Sequence, residues 1–405
     1  MVVAKTILIC ANVYPPNFIG GAELIAHYQA KLLTERGYKV IIFAGEMDGG
    51  ARYSVRQDYY DGLPVFRVCL HPEDYSSDFV NFSHPVIDAH FKAFLDAFSP
   101  DVVHMHNIIG LSAGIVHAAK RRGIKTVLTL HDHWGFCHKN TLIKNNEICQ
   151  DYSRCVECLR FINDGAEKNI PIRMRRDFLM LRLSEVDIFI SPSLYLAETY
   201  VRAGVPIEKV KVIWYGIDVA KYSAIIKRQR SGKIRFTFIG RFGLHKGIHV
   251  ILDALDLIRV RDQVQVNLVG TGELTATLQE RVQKSGLPVR FWGMVDNGRI
   301  EEVFRETDVL ILPSIWPENQ PVTITEAMAS RTPVIASAIG GIPELVSNDY
   351  NGYLFRPGSA VELAEKMLEF VARPERIEHF GENGFQRIKD NSFEHQVEKI
   401  RTLYE

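Results

Sequence analysis

No apolar run in the sequence approaches the roughly 18 residues that a membrane-crossing helix needs. The apolar stretch before Asn12 is too short for a secretory leader. A cytoplasmic protein is therefore expected, with peripheral contact at the inner face of a membrane left open. Neither charge is in excess: 48 Lys and Arg offset 48 Asp and Glu, which excludes the strongly basic field of a nucleic-acid binder. There is no repeat at solenoid spacing and no low-complexity segment. Cysteine is scarce, six residues in all, and four of them lie between Cys137 and Cys158. What remains is ordinary globular composition, 46% hydrophobic and 24% charged. At 405 residues it suggests two or three domains.

The densest information lies in 308–344, DVLILPSIWPENQPVTITEAMASRTPVIASAIGGIPE. The apolar run 309–312 reads as a buried parallel strand. A polar loop carrying Trp316, Glu318 and Asn319 follows, and Pro321 opens a helix where proline fits best. A second strand over 333–336 leads to a Gly340-Gly341-Ile342-Pro343 turn. This is a βαβ unit whose loops open at the carboxyl ends of its strands, where open α/β sheets bind ligands. Glu326 falls two turns into a helix that is apolar nearly all round, so it is expected to be buried. A buried carboxylate without a partner costs several kcal/mol. It is satisfied either by an ion pair, for example with Arg331 or Arg241, or by ligand hydroxyls; the residues alone do not choose.

The amino-terminal half opens with a strand over 6–10, a loop ending in Gly20-Gly21, a helix over 22–36 and a strand over 40–44. Glycines before a helix N-terminus suit a phosphate, and they equally suit a plain turn. Strands follow over 65–68, 101–106 and 125–130. His104 and His106 share one strand face; satisfaction by backbone is the commoner fate of such a pair, metal binding the rarer. His131-Asp132-His133-Trp134 closes the next strand at a ligand position, where it either binds a sugar or merely caps and packs.

The cysteines follow, spaced C-x11-C-x5-C-x2-C at Cys137, Cys149, Cys155 and Cys158. A four-thiolate structural zinc, free thiols and disulfides all remain open. None of these makes the cluster catalytic, because four thiolates leave no open metal position. The helix 172–183 carries Arg173, Arg175, Arg176 and Arg182 among apolar residues. A solvated face is expected, with contact to an anionic membrane surface as the alternative.

In the carboxyl-terminal half, a strand over 235–239 runs into Gly240-Arg241 and then Lys246-Gly247 before a helix over 248–258. A guanidinium fork and an ammonium between glycines at a helix start suit a pyrophosphate; two surface cations in a loop is the plainer reading. Glycine after Lys246 excludes a Walker loop. Gly270-Thr271-Gly272 resembles part of a dinucleotide fingerprint. The third glycine is missing and no acidic residue ends the next strand, so NAD is rejected.

Glu318, seven intervening residues, Glu326, Ala-Met-Ala and the GGIPE turn together resemble the donor-binding signature of glycosyltransferase family 4. The likeness covers nearly the whole chain and is strongest over 240–344. It implies an α/β GT-B fold: two Rossmann-like domains with parallel sheets facing a central cleft. The expected domains are 1–216 for the acceptor, with a cysteine-rich insertion at 137–158, 217–388 for the donor, and a terminal helix at 389–405 packing back on the first domain. Trp214 to Asp218 matches the interdomain crossing, with Trp214-Tyr215 where the family has Pro-Asn.

The resemblance also implies the chemistry, retaining transfer of a sugar from a UDP-, GDP-, ADP- or dTDP-linked donor to a glycan or lipid-linked acceptor in polysaccharide, lipopolysaccharide or other glycoconjugate synthesis. Arg241 and Lys246 would clamp the diphosphate, with Gly20 and Gly21 facing it and Gly270 near the nucleotide. Glu326 would take ribose hydroxyls. Glu318, with Asn319, Gln320, Pro321 and Val322, would hold the donor sugar, and His131 would reach it. Glu273 stands one place early for the family's glutamate and is not assigned. The chain lacks an Asp-x-Asp triplet, so no obligate catalytic metal is expected. A sugar-phosphate synthase and a non-catalytic nucleotide-sugar-binding subunit are the alternatives.

Overall fold

A computed structural model describes residues 5–17, 20–47, 50–71, 83–137, 139–144, 147–152, 172–230 and 232–405. Contacts divide the chain into two units, Met1–Gly216 with Phe393–Glu405, and Ile217–Ser392.

The first unit is built on β1 (Thr6–Val13), β2 (Lys39–Glu46), β3 (Val55–Tyr60), β4 (Leu63–Cys69), β5 (Val102–Met105), β6 (Lys125–Thr129), β9 (Ile188–Ser191) and β10 (Val210–Val212). Between β6 and β9, Ile143–Lys144 (β7) and Glu147–Ile148 (β8) make a small separate hairpin. The large sheet runs in the order β10-β9-β6-β5-β1-β2-β4-β3, parallel except for β3. Strand alternation splits the apolar residues between two faces. Ile7, Ile9 and Ala11 pack with Ala26, Ala30 and Leu33 of the helix Gly21–Glu35 and with Val397 and Ile400 of the helix Phe393–Thr402. Leu8 and Cys10 pack on the opposite face with Phe91, Leu95, Ile115 and Ala119. Burial on both faces explains why β1 reads as a continuous apolar run.

Two features of this unit differ from expectation. The β3–β4 hairpin was not foreseen, because β3 is largely exposed and carries little apolar pattern. Its turn, Asp61-Gly62, has both φ angles positive (51° and 79°), a pair of conformations suited to a two-residue hairpin. The basic helix Ile172–Ser184 also differs at Arg175, which does not lie on a solvated face. Arg175 is only 2% exposed and shares an inward stripe with Leu179 and Leu183, while Arg182 pairs with Glu185 at 2.8 Å. Among the described residues no helix is long and apolar enough to cross a membrane. Cys137 and Cys149 are half-buried and pack at the rim of the core. Cys155 and Cys158 lie outside the described residues.

The second unit is a six-stranded parallel sheet: β11 (Ile234–Ile239), β12 (Val264–Val269), β13 (Val289–Gly293), β14 (Val309–Leu312), β15 (Val334–Ser337) and β16 (Gly352–Phe355), ordered β13-β12-β11-β14-β15-β16. Phe236, Phe238, Val266, Leu268 and Ile311 meet Ile251, Leu255, Leu363 and Phe370 from the covering helices. Order reverses between β11 and β14, and this switch point opens a crevice at the carboxyl ends of those strands. In the first unit the corresponding reversal lies between β1 and β5.

Candidate functional site

At the switch point of the second unit, the loop after β11 and the loop after β14 touch because Gly247 permits it. Its φ is +70°, and a Cβ there would lie 2.0 Å from the Pro313 carbonyl oxygen. This contact brings Lys246 to Glu318, with Nζ 2.6 Å from Oε1. Ser314 Oγ (2.7 Å) and Trp316 Nε1 (3.0 Å) donate to the same oxygen. Among the described residues Oε2 takes no hydrogen bond, so one carboxylate edge is fully engaged and the other is open. Burial would raise the Glu318 pKa, but the Lys246 ammonium and the two further donors outweigh it and hold the carboxyl below its ordinary range. The side chain is 12% exposed. Behind it, Gly340 (φ +61°) packs on the Glu318 backbone, where a Cβ would sit 2.2 Å from its carbonyl oxygen, and Gly341 N–H donates to that oxygen at 2.7 Å. The Gly-Gly turn thus fixes the loop that carries Glu318.

Arg241 holds Glu273, Nε to Oε2 at 3.3 Å, with both side chains well exposed. Glu273 Oε1 lies over the glycine loop, 2.9 Å from where a Cβ on Gly243 would be. This glutamate was set aside in the sequence because it stands one place early; the signal that would have found it is its position on the loop after the neighbouring strand. Gly270 starts that loop and donates to the Gly293 carbonyl at 2.8 Å.

Glu326 sits in the helix Val322–Ala329, which Pro321 precedes with φ −65°. Its partner is neither of the two arginines foreseen. Tyr222 Oη donates to Oε1 at 2.5 Å. Arg331 pairs instead with Glu382 at 2.9 Å and covers the Phe385 ring, and Arg241 is taken by Glu273. Glu326 is half-buried, which departs from the full burial expected of it, and desolvation pushes its pKa up to about 7. Asn319 and Gln320 line the same loop, Gln320 buried. The second unit thus gathers Arg241, Lys246, Gly270, Glu318 to Val322 and Glu326 at one sheet edge.

In the first unit, Gly20 precedes the helix Gly21–Glu35, and its N–H already bonds Glu23 Oε2 at 3.0 Å. A carboxylate of the chain therefore caps this helix start. The preceding loop is held by Arg67, a fully buried residue of β4 that no local sequence pattern singles out. Its guanidinium donates to the carbonyls of Tyr14 (2.9 Å) and Pro15 (2.6 Å) and to Asp58 (3.0 Å).

His131 follows β6. Its Nδ1 is 2.6 Å from Tyr215 Oη and its Nε2 is 3.0 Å from His106 Nδ1. The rings stack in sequence, His104 on His106, His106 on His131, His131 on Tyr215, at centroid distances of 4.7, 5.2 and 5.5 Å. His104 is held by Tyr404 Oη and Thr129 Oγ1 at 2.6 and 2.8 Å. These histidines are bonded by side chains rather than by the backbone, and among the described residues His106 Nε2 is left without a partner. Burial lowers His131 to a pKa of about 3, so it is neutral at ordinary pH. Asp132 accepts from Trp134 N–H (2.7 Å) and Asn107 Nδ2 (3.2 Å), and burial raises it to about 6. Among the described residues no three His, Cys, Asp or Glu side chains group to hold a metal.

Residues 19–221 match the family described as Glycosyltransferase Family 4, and residues 224–387 match Glycosyl transferases group 1. The chain belongs to glycosyltransferase family 4 and is a glycosyltransferase. It is 21% identical over 370 residues to an uncharacterized glycosyltransferase of Methanocaldococcus jannaschii, covering 87% of this chain and 85% of that one. It is 22% identical over 406 residues to the glycogen synthase of Mycobacterium tuberculosis, covering 94% and 90%. Among solved structures it superposes on sucrose-phosphate synthase from Thermosynechococcus elongatus with a TM-score of 0.74 at 20% identity, covering 99% and 98%. It superposes on the Anabaena protein HepE in complex with UDP with a TM-score of 0.71 at 18% identity, covering 98% and 99%. The shared fold is GT-B.

Proposed function

We propose that the chain transfers a sugar, with retention, from a nucleoside-diphosphate sugar to an acceptor hydroxyl of a growing glycan or lipid-linked glycoconjugate. The observation that carries this is the Lys246–Glu318 couple beside Arg241 at the switch point of the second unit. As the glycosidic bond breaks, negative charge grows on the departing diphosphate and positive charge on the sugar. Arg241 and Lys246 are two cations placed to take the first. The free edge of Glu318 is a carboxylate placed to bind sugar hydroxyls and to face the second. Glu326, with one oxygen held by Tyr222, has the other for ribose. HepE was solved with UDP, and a starch synthase of the same fold with ADP, which supports a nucleoside-diphosphate donor. The match to glycogen synthase supports a polymer or glycoconjugate product. Because two protein cations meet the diphosphate, turnover is expected to persist in chelator.

The test is release of nucleoside diphosphate from a panel of UDP-, GDP-, ADP- and dTDP-sugars, run beside Arg241→Ala and Glu326→Ala. Release from one donor, lost in both variants, supports the reading and identifies the donor. Nucleotide binding that neither variant weakens overturns the assigned site.

A further inference from the structure

We propose that His106 and Tyr215 are positioning residues that lock His131 in a single orientation and a single tautomer, Nδ1 protonated and Nε2 an acceptor. The inference rests on the proposed transferase function and on the family resemblance, which has His131 reach the donor sugar.

The tautomer follows from counting hydrogens. The Tyr215 hydroxyl has one hydrogen, and it lies within hydrogen-bond distance of the Leu130 carbonyl at 3.1 Å and of His131 Nδ1 at 2.6 Å. A carbonyl only accepts, so both contacts are hydrogen bonds only if the hydroxyl donates to Leu130 and Nδ1–H donates to the hydroxyl. A neutral imidazole protonated at Nδ1 has a lone pair at Nε2. His106 Nδ1, 3.0 Å away, must then carry the proton between them. The opposite assignment fails twice. It leaves the Leu130 contact without a hydrogen, and it places an N–H on His106 Nε2, a buried atom with no partner. Orphaned buried N–H groups are the rarer and costlier defect. Burial of the cluster disfavours a doubly protonated ring at His131 or His106.

Orientation is fixed as well. The ring lies between His106 and Tyr215 at interplanar angles of 26° and 19° and is bonded at both nitrogens. His131 therefore has no ring N–H to offer a ligand, since its single donor is spent on Tyr215. A hydroxyl approaching the ring has to give its own hydrogen to the Nε2 lone pair, in competition with His106.

The experiment combines two readouts on the full chain. The first is the imidazole 15N spectrum of His-labelled protein, with the His131 signals assigned by their loss in His131→Ala. The expected pattern is protonated Nδ1 and bare Nε2; a protonated Nε2 overturns the proposal and needs no positioning variant to fold. The second is turnover, with whichever donor of the panel supports release, for His106→Leu and His106→Asn. The asparagine amide places a donor where Nδ1 stood. His106→Leu is expected to lose about 10- to 100-fold in kcat with a smaller change in donor KM. His106→Asn should recover most of that at equal thermal stability. Equal losses in the two variants overturn the proposal. Full activity in His131→Ala would instead sink the underlying reading of His131, and the spectrum would still decide the tautomer.

Discussion

The two sheet edges that carry the candidate residues are built from opposite materials. In the first unit the groups are neutral, stacked and buried: His104, His106, His131, Tyr215 and Tyr404 are linked to one another by hydrogen bonds without a formal charge. In the second they are ions, and each cation already holds a carboxylate of the chain, Lys246 on Glu318 and Arg241 on Glu273. The difference teaches what each edge is for. A buried neutral network resists change, because every broken bond strands a polar group away from water. An exposed ion pair such as Arg241–Glu273 contributes little and exchanges readily for a better-charged partner. On the function proposed above, one edge is preorganised, and the other keeps its charges in place with carboxylates until a diphosphate arrives.

The hardest test of that contrast is Lys246→Ala. If the cation serves the leaving group, kcat should fall by about 10²- to 10³-fold, as for loss of one preorganised donor. The variant also strips Glu318 of its counter-ion. Because the folded Glu318 pKa is depressed, its contribution to stability is present above about pH 4.5 and is lost as pH falls through the folded value. The variant should therefore lose stability at pH 7 and differ least from wild type in acid. Denaturant melts at the two pH values check this. A stability loss with unchanged turnover would make the pair structural and erase the distinction between the edges.

Glu326→Gln sharpens the contrast from the other side, because here a carboxylate is held at a cost. Its folded pKa of about 7 lies above the ordinary 4.5, so the wild-type protein pays nothing for it in acid, and the penalty builds as pH rises from 4.5 to 7. Glutamine should raise stability at pH 8 by no more than about 3 kcal/mol and leave it unchanged at pH 4. Nucleotide affinity should move oppositely. If ribose binds the ionised form, wild-type affinity should fall by about tenfold per pH unit below 7, while the glutamine variant is weak and flat. Calorimetry across pH 5.5 to 8 reads this directly. An equally flat wild-type profile would remove Glu326 from the ribose.

How much of this was legible in the sequence depends on range. The strand Val309–Leu312 and the helix behind Pro321 were readable because period and proline position are local properties. That Glu326 would sit in an apolar helix was readable, although it is half-buried rather than fully buried. Its partner was not, since Tyr222 is 104 residues away and no periodicity joins them. The same holds for Arg241 and Glu273, joined only because β11 and β12 are neighbours. His106 and His131 were visible as strand-end residues, but only the pairing of β5 with β6 makes them partners. Arg175 was misjudged for a different reason. Its spacing to Leu179 and Leu183 marks the inward stripe, whereas its charge argues for solvent, and here the period prevails. The Asp61-Gly62 hairpin signal was present and went unread.

The smallest effect is the most specific to this chain. Glu273 holds Arg241 from an exposed position, its pKa lowered by its own backbone N–H and by that guanidinium. If the carboxylate stands in for a phosphate, it competes with the incoming diphosphate for the same cation. Glu273→Gln should then tighten nucleoside diphosphate binding by roughly two- to fivefold at low salt. The gain should shrink as ionic strength rises and the exposed charges are screened. It should be absent for the bare nucleoside, which brings no phosphate, and absent in an Arg241→Ala background, where there is no cation to compete for. Titrations of UDP, GDP and ADP against the matching nucleosides separate these cases. A gain that survives in the Arg241→Ala background would mean that Glu273 merely repels anions through space. No gain in either background would mean that the Arg241–Glu273 pair is incidental and that only Lys246 holds a carboxylate in the place of a phosphate.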